Sequence, residues 1–167
     1  MTARLIFAVI GAASMALPVT AQQVPNEGCY ARTYSKAHLA ENPNQGVASI
    51  RMRVFQPSGN PDPLVAMAVT MSNQGQAQTD RVMGQVLMQN LYCQNFSDSY
   101  GCGVECDGGW IEITRQSADG LTFRTDHLTI GEREECGGYS NLAEPGSGYT
   151  SYRLNAVPAA QCDGLGH

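Results

Sequence analysis

The chain has 167 residues and carries 10 basic against 15 acidic side chains, a net charge of −5. That length fits one domain able to bury a core, and the acidic balance argues against a nucleic-acid partner, which calls for clustered Lys and Arg. No uncharged stretch reaches the roughly 20 apolar residues a membrane helix needs.

Arg4, the uncharged run Leu5 to Leu17, Pro18 and the small residues Val19-Thr20-Ala21 read as a secretory signal cut after Ala21. Residues 22–167 are then the mature domain, and loss of Arg4 takes its charge to −6. An uncleaved anchor is the rival reading, disfavoured by a run of only 13 residues. The expected destination is periplasmic or extracellular. All six cysteines follow the signal, and an even count in an exported chain predicts three disulfides among fifteen connectivities. A zinc site competes, but Cys102-x3-Cys106 has no second matching pair. No metal and no cofactor are expected.

In chain order, Ala31 to Ala40 has helical character and stops at Glu41-Asn42-Pro43-Asn44. Val47 to Phe55 alternates apolar Ala48, Ile50, Met52 and Val54 with polar residues, a half-buried strand. Pro57 to Pro63 is a turn, and Leu64 to Met71 a second strand with Val65, Met67, Val69 and Met71 on one face. Ser72 to Asp80 reads as a long loop and Arg81 to Cys93 as a third strand. Gly101 to Trp110 reads as a short strand, an Asp107-Gly108 turn and a new strand. Trp110 to Gln116, the Asp119-Gly120 turn and Leu121 to Ile130 form the clearest hairpin. Along its second strand the apolar parity switches from Leu121 and Phe123 to Leu128 and Ile130, as a β-bulge produces. A loop-rich stretch over 131–148 precedes a last strand, Tyr149 to Val157.

These elements predict an all-β fold, an antiparallel small up-and-down barrel with one short N-terminal helix, stapled by disulfides. A two-sheet sandwich is the alternative. The strand positions suggest the pairing Cys29–Cys162, Cys93–Cys106 and Cys102–Cys136.

Cys29-Tyr30, the Tyr34 to Leu39 segment and Val104-Glu105-Cys106-Asp107-Gly108-Gly109 resemble features of small exported alphaproteobacterial proteins, which implies a periplasmic setting and no particular chemistry. Gly108-Gly109-Trp110 is also similar to the Gly-x-Trp signature of lipocalins and avidin-like barrels, where the motif opens the first strand and its Trp closes one barrel end. Here the motif lies after three candidate strands.

Glu105 and Asp107 flank Cys106 at i, i+2, so on a strand both carboxylates would share one face about 7 Å apart. Such a pair suits a bound cation or glycoside chemistry, or simply a solvated face. His127 stands beside Asp126, but neighbours on a strand point to opposite faces. Glu105, Asp107, Trp110 and His127 are therefore candidate ligand-binding residues, and no catalytic constellation is visible. The leading expectation is a non-enzymatic binding module for a small apolar ligand or a protein. Its cavity would be lined by Met67, Val69, Met71, Leu121 and Phe123, residues that equally suit a plain core. The alternative is a periplasmic hydrolase using Glu105, Asp107 and His127.

Overall fold

The computed structural model describes residues 24–96, 99–132 and 138–166; the expected signal segment falls outside these. Within them, alternating apolar residues form ten strands: β1 (Gly28–Thr33), β2 (Val47–Phe55), β3 (Leu64–Met71), β4 (Val86–Phe96), β5 (Ser99–Gly103), β6 (Trp110–Ser117), β7 (Gly120–Thr125), β8 (Thr129–Ile130), β9 (Ser140–Asn141) and β10 (Thr150–Val157). Eight of them close an antiparallel barrel in the order β1-β10-β7-β6-β5-β4-β3-β2, and β8 pairs with β9 in a separate ribbon. This is the up-and-down barrel, not the sandwich. Closure leaves no barrel strand at a sheet edge.

The period-two pattern decides what fills the barrel. Ile50, Met52 and Val54 of β2, and Val65, Met67, Val69 and Met71 of β3, are each at most 2% exposed and point inward. Phe123 and Tyr152 meet them from β7 and β10, ring centroids 5.3 Å apart. Fully burying one such apolar side chain contributes about 1.5–3 kcal/mol. Eight strands leave an interior just wide enough for side chains to fill.

Because successive strands alternate direction, the connections 34–46, 72–85, 104–109 and 126–149 all open at one end. The connections 56–63 and 118–119 lie at the other end. The long connections plug their end: Ala77 and Val82 from one, and Leu128, Ile130 and Leu142 from another, join the interior core.

Three expected elements are corrected here. The helix expected over Ala31 to Ala40 is strand β1 followed by a short α1 (Lys36–Glu41), N-capped by Ser35, whose side chain accepts from the His38 backbone N–H at 3.1 Å. Barrel closure overrides helical propensity, because β1 supplies the strand that joins β10 to β2. The loop expected over Ser72 to Asp80 contains α2 (Gly75–Thr79), with Ala77 fully buried. The third strand starts at Val86 rather than Arg81, since Val82 drops into the core from the preceding turn.

The bulge lies in the other strand of its hairpin. Ile113 faces Phe123, but Arg115 faces Thr122, so β6 holds one extra residue. The parity switch after Phe123 is instead a break, with β7 ending at Thr125 and Leu128 to Ile130 belonging to the end plug.

Cys29 and Cys162 are bridged as expected. Cys93, however, is joined to Cys102, not to Cys106. These two are directly opposed across β4 and β5, and both are buried. That bridge also removes the expected Cys102–Cys136 pair. Cys106 is itself disulfide-bonded, and Cys136 lies outside the described residues. Such bridges fit an oxidising compartment.

The C-terminal segment, including a 3-10 turn at Ala159–Cys162, packs outside the barrel. Small Ala66 and Ala68 on the outer face of β3 make room for Leu165, and Arg51 and Arg53 donate to the carbonyls of Gln161 and Leu165 at 3.0 and 2.7 Å.

The two described bridges close loops of very different length, with sequence separations of 133 and 9. Chain entropy then assigns about 5 kcal/mol to Cys29–Cys162 and about 2.6 to Cys93–Cys102. Guanidinium unfolding of the two paired Cys→Ala variants should show the larger loss for Cys29/Cys162; a larger loss for the other pair would give core packing the greater weight.

Candidate functional site

Glu105 and Asp107 do not lie on a strand. Cys106 and Asp107 adopt φ of 59° and 60°, and the Gly108 N–H donates to Glu105 O at 3.3 Å. Two consecutive left-handed residues make a type I′ turn, which puts both carboxylates at an exposed hairpin tip. The expected shared strand face is therefore absent.

The backbone after this tip is locked to the end plug. Val104 N–H donates to Gly109 O at 2.9 Å, Trp110 N–H to His127 O at 2.8 Å, and Thr129 N–H to Gly108 O at 2.7 Å. Gly109 has φ of 85°, and a Cβ there would lie 1.9 Å from His127 O. Only glycine permits that approach. Trp110 opens β6, its ring packed against Gly101, where a Cβ would come within 2.7 Å of it.

The fold thus brings Trp110 and His127 together through the main chain. The His127 ring, however, engages Asn141 Nδ2 through Nδ1 at 3.1 Å and stands 3.5 Å from Thr129 Oγ1 through Nε2. Asn141 is held in turn by Leu128 N–H and Ala143 N–H, both donating to its Oδ1. His127 is a brace for the ribbon, and neither Glu105 nor Asp107 is among its hydrogen-bond partners.

Met67, Val69, Met71, Leu121 and Phe123 all belong to the continuous core, each at most 2% exposed. Volume accessible to a ligand occurs elsewhere, at the barrel seam. β1 pairs with β2 along its whole length, but with β10 only through Cys29, Tyr30 and Ala31. After Ala31 the two strands part, and Tyr34 N–H follows β2 by donating to Ala48 O at 2.9 Å.

A cleft of about 490 Å³ occupies the gap, within the range of small-molecule sites. One wall carries Arg32, Tyr34 and His38, and the other Glu144, Tyr149 and Arg153. Arg32 faces Ile50 across β1 and β2, so it lies on the inward side of β1 at the seam. Its guanidinium stands 5.1 Å from the Tyr34 ring centroid, and Tyr34 stacks on His38 at 4.9 Å. Buried Gln45 orders this wall by contacting His38 Nε2 at 3.0 Å and donating to Val47 O at 2.8 Å. Opposite, the Glu144 turn is fixed by Ser147 Oγ donating to its carbonyl and by its own N–H donating to Thr150 Oγ1.

Burial pushes the Tyr34 hydroxyl up, Arg32 pulls it down and Glu144 pushes it up again. Glu144 and Arg32 line the same cleft. Yet the only ion pair among the described residues is Arg124–Glu112, at 2.7 Å, so neither Arg32 nor Arg153 is neutralised by a described carboxylate. Arg32 was missed in the sequence because its segment reads as helix. Arg153 looks like any outward residue of an alternating strand.

Tyr152 forms the floor. Its buried hydroxyl donates to Leu142 O at 2.7 Å. Burial first, then Glu144 and Tyr34, hold it far above the tyrosine value of 10.0. The unfolded chain ionises this group near 10 while the folded one resists. Its contribution is therefore complete below pH 10 and is lost as pH rises above that. Tyr152→Phe should cost about 1–3 kcal/mol at pH 7 by leaving the Leu142 carbonyl unpaired, and should flatten the alkaline decline in melting temperature. An unchanged alkaline slope would place that titration in another group.

Compared with protein-family models, curated proteins and solved structures, the chain matches none.

Proposed function

We propose that this chain is an exported, non-enzymatic binding module that takes a small anionic molecule in the cleft between β1 and β10. The observation that carries this reading is a pair of arginines, Arg32 and Arg153, lining the seam cleft without a described carboxylate partner. A guanidinium presents a planar fork of donors matched to a carboxylate, and such charge-assisted pairs are about twice as strong as neutral ones. Tyr34 and Tyr149 supply flat apolar surface on either side, and Tyr149 is itself braced by Arg124, 4.6 Å from its ring centroid. The site moves from the barrel interior to its seam because side chains already fill the interior.

Glu144 restricts the choice. Among the described residues its carboxylate shares the cleft with two guanidiniums, a single excess positive charge, so a monoanion fits better than a densely charged phosphate chain. Among the described residues no nucleophile and base meet there: Ser147 Oγ is engaged with Glu144 O and Thr150 Oγ1, while His38 is turned to Gln45. These contacts favour binding over turnover.

Isothermal titration with benzoate and with galacturonate tests the reading. The wild-type protein should bind at least one of them, and Arg32→Ala should weaken that binding about tenfold or more, the worth of one charge-assisted hydrogen bond. Equal binding by Arg32→Ala would reject the seam as the site.

A further inference from the structure

We infer that the seam site continues across the outside of β10 onto β7 and β6, where Arg115 forms its far end, and that its ligand is a linear molecule bearing carboxylates at spaced intervals, such as an acidic oligosaccharide. This rests on the seam cleft being the binding site. Arg153 lines that cleft and also a second one of about 270 Å³, whose walls include Arg115, Ser117, Asp119 and Thr122. One side chain thus borders both clefts.

The strand register sets the spacing. Thr122 is the Cα partner of Arg153 on one side and of Arg115 on the other. Adjacent strands lie about 4.8 Å apart, so the two arginine backbones stand about 9.6 Å apart across the Thr122 hydroxyl. The β6 bulge is what presents Arg115. Ile111 and Ile113 point inward, and strict alternation would carry Arg115 inward after them. The extra residue before it turns Arg115 to the outer face, beside Thr122.

The same face shows which arginines are structural. One row along, Arg124 is neutralised by Glu112, and on the opposite wall of the barrel Arg51 and Arg53 are engaged by tail carbonyls. Arg32, Arg153 and Arg115 make no ion pair among the described residues, in a chain whose net charge is −5. Asp119 on the rim and Glu144 in the seam disfavour a continuous dense anion. Spaced carboxylates, with hydroxyls between them for Ser117 and Thr122, satisfy both conditions.

The test is calorimetric titration of the whole folded protein with benzoate, galacturonate and tetragalacturonate, for the wild type, Arg32→Ala and Arg115→Ala, with circular dichroism to verify each fold. The tetramer should bind at least tenfold more tightly than the monomer. Arg115→Ala should bring the tetramer down to the monomer's affinity without changing the monomer's own, whereas Arg32→Ala should weaken every ligand. If Arg115→Ala leaves tetramer binding unchanged while Arg32→Ala weakens it, the extension is overturned and the seam site stands. Failure of both sugars to bind, with benzoate binding that depends on Arg32, likewise overturns the extension and leaves the seam site standing. If none of the three ligands binds the wild type, both the extension and the seam site fall.

Discussion

Closure of the barrel by β1 is the constraint on which the rest of the molecule depends. Without that strand, β2 and β10 would be the two open edges of a seven-stranded sheet, each exposing a row of unpaired backbone groups. β1 pairs with β2 along its own whole length but meets β10 at only three residue pairs. Closure is thus sufficient at one end and relaxed at the other. The seam opens toward the end that carries α1, α2 and the ribbon, and the cleft is the space left by that incomplete pairing.

The remaining structure protects this geometry. The Cys29–Cys162 bridge ties the start of β1 to the segment that follows β10, next to the three pairs that close the seam. The same segment covers β3, where Ala66 and Ala68 are small enough to admit it, and is held by Arg51 and Arg53. At the opposite end, residues from two long connections sink into the barrel mouth. The interior is therefore solid, and open volume lies at the seam and on the outer face.

A single extra residue in β6 distinguishes the outer face of β6, β7 and β10 from an ordinary solvated surface. Inward Ile111 and Ile113 and outward Arg115 are incompatible with strict alternation, and the bulge reconciles them. Bulges re-aim side chains in this way where a strand must serve both a core and a surface. The type I′ turn at Glu105 to Gly108 is a second such device: it reverses the chain so tightly that Gly109 lies against the His127 backbone.

The sequence by itself determined the all-β class and most of the barrel strands, pointed to the Cys29–Cys162 bridge, and put an up-and-down barrel ahead of a sandwich. Alternation in β2 and β3 and the Asp119-Gly120 turn are local signals that need no distant partner. It did not determine β1, because Ala31 to Ala40 is as good a helix as a strand until β2 and β10 are present to pair with it. Nor did it reveal the Cys93–Cys102 bridge, which depends on the register between β4 and β5. Glu105 and Asp107 looked like a site because spacing suggests a shared face, but left-handed backbone at Cys106 and Asp107 put them on a turn. Arg32, Arg153 and Arg115 lie far apart in the chain and carry no common motif. Only the tertiary structure brings them to one side of the barrel, since which strands neighbour one another, and where a strand gains a residue, are settled by pairing across the sheet and not by local sequence.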